Sequence, residues 1–174
     1  MSGMARVLRV AVASAGLAIG AFSLAIARGE PGYSFGGAST FASAAELIAG
    51  YALLAVGLVA SARRREGRFG PILVGAAIAW FLLEWNNPGA GTAFVFTAGV
   101  VLYFAAPPLV AHAVIAYPDG RVRSWLDRFG LVLAYAGAVL VLGVLSASLF
   151  NVRECLVCQG SALAHRRALD RRGD

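Results

Sequence analysis

Charge in this chain is confined to eight short groups, and the residues between these groups are almost all apolar. Residues 10–27 and 129–152 carry no charge at all. A hydrocarbon layer about 30 Å thick needs about 20 apolar residues in a helix, and a helix satisfies its own backbone hydrogen bonds inside lipid. The charge pattern therefore predicts several membrane-spanning helices.

Composition excludes the other broad classes of protein. Hydrophobic residues make up 59% of the 174 residues and charged residues 14%, whereas soluble domains average about 45–50% and about 25%. A soluble core of this length cannot bury so much apolar surface, and disordered chains are poor in apolar residues. We expect an all-α integral membrane bundle without a soluble domain of useful size.

The apolar stretches predict a five-helix transmembrane domain at residues 1–152 and a short polar tail with a cysteine pair at residues 153–174. The first stretch also has the features of a cleaved signal peptide, because Arg6 and Arg9 precede it and small residues end it. That alternative leaves the other spans unchanged. The five predicted spans are residues 10–27, 41–62, 69–85, 92–117 and 129–152.

The basic residues are all arginines, 15 in number. A pI near 10.1 can indicate nucleic-acid binding, but these arginines cluster between apolar stretches, where membrane proteins keep their orientation signals. We therefore expect no nucleic-acid partner. A cytoplasmic N-terminus places nine arginines inside and two outside, counted as far as Arg153, as the excess of arginine in cytoplasmic loops requires. The alanine-rich, lysine-free composition is typical of GC-rich bacteria, so we expect a multi-pass protein of a bacterial cell membrane.

The tail conflicts with this orientation. Five spans from a cytoplasmic N-terminus leave the tail outside, although it carries four further arginines. A late, short tail can have little influence on orientation, one span can be wrong, or a further span can follow in a longer protein. We favour the last explanation and expect the sequence to be the front part of something longer.

Three ionisable residues fall inside predicted spans: Glu46, Glu84 and His112. Such residues are functional candidates, because a charge inside a bilayer is costly. Glu46 and Glu84 lie near span ends, so they either sit at the interface or, together with Trp85, take part in ligand or proton sensing. His112 lies deeper. It is either a neutral histidine bonded to a freed carbonyl or a neighbouring helix, or a group that responds to pH or ligand.

Cys155 and Cys158 form a second local feature. On the outer side of the membrane they can form a disulfide, and in the cytoplasm they would remain thiols. With His165 they supply three zinc ligands at best, whereas a structural zinc site needs four. The sequence also lacks the P-loop, GxSxG and HExxH patterns. We expect no metal, no cofactor and no catalysis by this chain.

The segment from His112 to Val122 is the most informative. The preceding Pro107-Pro108 pair predicts a kink, and Tyr117-Pro118-Asp119-Gly120-Arg121 predicts a helix end followed by a turn. A histidine-bearing helix that runs into such a turn resembles the membrane-embedded N-terminal region of sensor histidine kinases of high-GC Gram-positive bacteria. The likeness extends backward to Trp85-Asn86-Asn87-Pro88, which precedes that helix, and forward through Arg128 and an apolar helix to the cysteine pair. It covers about residues 5–160 in all.

This resemblance implies a signal-input region of a two-component system. The kinases it resembles continue with a further span and with dimerisation and ATPase domains, whereas the phosphoacceptor and ATP-binding motifs are missing from this sequence. The alternative is a small structural or partner-binding membrane protein, a subunit of a larger complex. Expected partners are the lipid bilayer and a kinase, another membrane protein or a second copy of the chain. The candidates for signal transmission are Pro107, Pro108, His112, Tyr117, Pro118, Asp119, Gly120 and Arg121.

Overall fold

A computed structural model describes residues 2–63, 67–145 and 148 of the chain. All regular structure in these residues is helical, which confirms the all-α prediction for this part of the chain. The whole of the predicted tail, residues 153–174 with Cys155 and Cys158, lies outside the described residues. The helices are α1 (Ser2–Gly29), α2 (Thr40–Arg63), α3 (Phe69–Leu82), α4 (Ala93–Leu102), α5 (Ala106–Ile115) and α6 (Trp125–Tyr135).

Shorter helical elements link and extend these helices. Three single 3-10 turns lie at Pro31–Tyr33, Leu83–Trp85 and Pro88–Ala90. The last helix continues from α6 as a π-helical stretch, Ala136–Leu145. The chain therefore runs back and forth between two ends of a bundle. One end holds the loop between α1 and α2, and the opposite end holds the loop between α2 and α3.

Three helical segments are long and apolar enough to cross a membrane: Gly3–Gly29, Thr40–Arg63 and Trp125–Leu145. Helices α4 and α5 together form a further, bent candidate. The predicted third span, residues 69–85, is apolar but shorter than these. By length and composition the described part of the chain thus has three spanning helices, or four with the bent pair.

Helix α3 packs on α1, α2 and α5, and its Ala79 forms a buried apolar cluster with Ala105 and Ala106 at the start of α5. Helices α2 and α3 make the most extensive contact of any pair, because Gly57 and Gly70 bring the two backbones together with no space for a Cβ on either. Small residues allow such close approach between helices in membranes. Phe81 of α3 is fully buried and packs against Gly50 of α2 and Gly20 of α1.

The bend between α4 and α5 confirms the predicted kink and shows where it lies. The two helix axes differ by 43°. Pro107 and Pro108 occupy the first turn of α5, where a missing N–H costs no helical hydrogen bond. The chain therefore breaks just before the prolines, at residues 103–105, instead of at the prolines themselves.

Candidate functional site

Glu46 and Glu84 come together at the end of the bundle that holds the α1–α2 loop. Glu46 lies in the second turn of α2, and Glu84 lies in the 3-10 turn that follows α3. Each side chain lies close to a helix end, as predicted, yet each residue is only 4% exposed. Protein, not water, surrounds both carboxyl groups.

A glycine of the α1–α2 loop closes over the pair. The Gly36 N–H donates a hydrogen bond to Glu84 Oε1 at 3.0 Å, and the Ser43 hydroxyl donates to the Gly36 carbonyl. A Cβ at Gly36 would overlap the Glu46 carboxyl group. Only glycine therefore fits here. We call Glu46, Glu84 and the loop of residues 30–39 the carboxyl site.

The two carboxyl groups lie close together, because both approach Gly36: a Cβ there would overlap Glu46 Oε2 and lie 3.5 Å from Glu84 Oε1. Glu46 Oε2 and Glu84 Oε2 have no hydrogen-bond partner among the described residues. Buried carboxylates are stable only when a proton, a cation or hydrogen-bond donors compensate their charge. Two carboxyl groups so close together can share one proton, which would leave a single negative charge on the pair.

Two tryptophans tie the carboxyl site to the surrounding helices. Trp85 Nε1 donates to Ser23 Oγ of α1 at 2.9 Å, and Trp80 Nε1 donates to the Glu46 carbonyl of α2 at 3.2 Å. Trp85, a predicted sensing residue, thus lies next to Glu84 and anchors the segment to α1. Sequence reasoning missed Ser23, although it is one of only two serines in the charge-free stretch 10–27.

Asn87 belongs to the Trp85-Asn86-Asn87-Pro88 motif, but the sequence reasoning did not include it among the site residues. It is fully buried, its Nδ2 donates to the Glu30 carbonyl at 3.1 Å, and its Oδ1 accepts from the Gly89 N–H at 2.7 Å. These bonds join the turn after α3 to the end of α1. Hydrogen bonds to α1, to the residue that follows it and to α2 therefore hold the segment that carries Glu84.

His112 lies toward the opposite end of the bundle and contacts α6. Its Nδ1 is 3.2 Å from Tyr135 Oη, and the two rings meet edge to face. The expectation of a bond to a neighbouring helix is met. Its partner is the hydroxyl of Tyr135, a residue that the sequence reasoning did not single out.

The predicted turn also lies at this opposite end and packs on the start of α3. The Gly120 N–H donates to the Ala116 carbonyl at 2.7 Å, and Gly120 has a φ of +74°, a left-handed conformation that glycine adopts most easily. A Cβ there would collide with the backbone of Arg68 and Phe69. The Tyr117 ring packs edge to face on Phe69 at 5.5 Å. We call residues 116–120 the Gly120 turn.

The predicted residues thus fall into two groups joined by α3. Glu84 and Trp85 lie directly after α3, and the Gly120 turn packs on its first residues. Helix α3 has 14 residues, about 21 Å at the usual rise. Of the remaining candidates for signal transmission, Pro107 and Pro108 begin α5, Asp119 accepts a hydrogen bond from Arg123, and Arg121 lines a cavity with His112.

Metal and cofactor sites were expected to be absent. Within the described ranges, no three His, Cys, Asp or Glu side chains are grouped so as to hold a metal ion. Comparison of the chain with protein-family models, with curated proteins and with solved structures finds no match in any of the three.

Proposed function

We propose that this chain is the signal-input region of a bacterial membrane sensor of the two-component histidine kinase type, with five spans and a cytoplasmic N-terminus. One observation carries the proposal. Helix α3 has a buried carboxyl pair at one end and the Gly120 turn packed on its other end. A single rigid element therefore links a site that can bind a stimulus to a turn that can pass a shift onward.

The stimulus acts at the carboxyl site. Gain or loss of a proton or cation changes whether Glu46 and Glu84 attract or repel each other. Since Glu84 also accepts the Gly36 N–H, a change in its position moves the loop and the end of α3 together. A stimulus can shift such an equilibrium only through its different affinity for the two arrangements.

The shift reaches the opposite end by two routes. The first is α3 itself, because Gly120 touches the backbone of Arg68 and Phe69 with no intervening side chain. The second is the bent pair α4–α5, because Gly99 of α4 packs against the backbone of Trp85 and Asn86. Close-packed contacts transmit displacement because they leave no free volume to absorb it.

A chimera tests the proposal. The chain replaces the membrane region of an intact sensor kinase of this class, joined through that kinase's own last span, and autophosphorylation is measured in membrane vesicles. We expect Glu46→Gln and the double variant Pro107→Ala/Pro108→Ala to change the rate at least severalfold. Gly130→Ala in α6 is the matched control, because a Cβ at Gly130 meets no atom within 4 Å. Unchanged rates in both test variants would refute the proposal.

The alternative, a partner-binding subunit, is favoured by a different observation. In the candidate span Trp125–Leu145, only 17% of the apolar 18-residue window is buried, compared with 28% and 33% in the other two spans. Trp125 and Val132 are among its exposed residues. A subunit would use this surface against a partner helix, so Val132→Trp would abolish its assembly into a complex while the carboxyl-site variants had no effect.

A further inference from the structure

A cavity opens between α3, α5 and α6 at the end of the bundle that holds the Gly120 turn. Its volume is about 1060 Å³. Pro71, Ile72 and Leu109 form an apolar wall, and three arginines, Arg68, Arg121 and Arg128, line the same cavity. Among the described residues that line it, none is acidic. One cavity thus combines an apolar surface with concentrated positive charge.

Asp119 lies two positions before Arg121 in the sequence and accepts from Arg123 at 3.2 Å. Arg123 itself does not line the cavity. Arg128 Nε donates to the Val122 carbonyl at 2.9 Å. That bond holds the guanidinium of Arg128 at the cavity, so one of the three arginines is already positioned to bind an anion.

The cavity also has hydrogen-bonding side chains. His112 and Tyr135 line it and contact each other at 3.2 Å. A ligand between the arginines therefore meets further polar groups as well as apolar side chains. Guanidinium groups suit phosphate in particular, because they donate parallel hydrogen bonds to two of its oxygens.

We infer that this cavity binds the phosphate of an anionic phospholipid, with part of the lipid's apolar body against Pro71, Ile72 and Leu109. A free phosphate shares the charge chemistry but would leave the apolar wall without a partner. The position of the cavity favours lipid, because it lies where α5 ends and α6 begins, and both helices belong to candidate spans. Basic pockets between transmembrane helices commonly hold anionic headgroups. This inference is independent of the proposed sensing role.

The test uses the full chain purified in detergent. Phosphatidylglycerol, phosphatidylcholine and glycerol 3-phosphate are titrated separately, and binding is followed by native mass spectrometry and by thermal stability. We expect saturable binding of phosphatidylglycerol and at least tenfold weaker binding of the other two. Equal binding of phosphatidylcholine would overturn the assignment, because the arginines would then contribute nothing. Equal binding of glycerol 3-phosphate would overturn it in favour of a free-anion site.

Two matched variants locate the site. Arg121→Gln and Arg123→Gln remove the same charge two residues apart, but only Arg121 lines the cavity. We expect Arg121→Gln to weaken phosphatidylglycerol binding about tenfold, the loss of one charge-assisted hydrogen bond, and Arg123→Gln to have little effect. Equal weakening by both variants would show general attraction to a basic loop and refute a defined site. Thermal stability without lipid verifies that both variants fold.

Discussion

At the scale of single residues, the carboxyl pair is the feature that most needs explanation. Glu46 and Glu84 are each only 4% exposed in a largely apolar bundle, although an unpaired buried charge is strongly destabilising. Glu84 receives one backbone hydrogen bond, from Gly36. Glu46 Oε2 and Glu84 Oε2 have no hydrogen-bond partner among the described residues. Whether the pair holds a proton or a cation is therefore the variable feature of the site.

We predict that Glu46→Gln stabilises the chain. The amide removes one potential charge and offers an N–H donor to Glu84 Oε2, which has no hydrogen-bond partner among the described residues. One added hydrogen bond contributes about 1 kcal/mol, or about 2–4 °C in melting temperature for a chain of this size. Thermal unfolding in detergent measures it. Glu46→Ala is the control and should destabilise, so equal losses in both variants would contradict the prediction.

Sequence alone identifies these carboxyls but not their pairing. Glu46 and Glu84 are recognisable as ionisable residues inside apolar stretches. Their proximity depends on how α2 and α3 pack. Their burial depends on Gly36, in a loop that no periodic pattern describes, and on Ser43 of α2, which holds Gly36. From the sequence, an acidic residue near a helix end can be either exposed to water or buried in protein. Only the tertiary fold distinguishes the two.

At the scale of elements, α3 is the connecting helix. It is short, apolar and deeply packed, with seven of its residues buried. The sequence predicted it as a span like the others, because hydropathy measures composition and does not report which neighbours a helix touches. The same limit applies to the bend: adjacent prolines predict a break, but its location at residues 103–105 follows from the preference of proline for the first helical turn.

The contact between the Gly120 turn and α3 gives a prediction with an internal control. Gly120 and Gly91 both have a φ of +74°, but only Gly120 has backbone atoms where a Cβ would lie. Both Ala variants should lose about 1–2 kcal/mol from the left-handed conformation. Gly120→Ala should lose about 1–3 kcal/mol more from overpacking against Arg68 and Phe69. Chemical unfolding measures both free energies, and equal losses would mean that the turn does not press on α3.

At the scale of the whole molecule, the described chain is a helical bundle with polar clusters at both ends. The periodic and charge-free stretches of the sequence sufficed for the helices, since each helix depends on local hydrogen bonds and apolar length. They did not suffice for the clusters, which are assembled from residues far apart in sequence, such as Ser23 with Trp85 and His112 with Tyr135. The number of spans and their orientation remain predictions of the charge pattern.

The central claim is that the carboxyl site and the Gly120 turn are coupled through the bundle. Hydrogen–deuterium exchange of the full chain in lipid nanodiscs tests it, with Glu46→Gln compared with the unaltered chain. Gly130→Ala serves as the control, because it should also stabilise the chain, by about 0.5–1 kcal/mol, without touching either cluster.

Coupling predicts that Glu46→Gln changes exchange both in the loop of residues 30–39 and in the Gly120 turn, about 20 Å away along α3, while Gly130→Ala changes neither. A change confined to the loop and the start of α2, with exchange in the turn the same as in the unaltered chain, would contradict the claim.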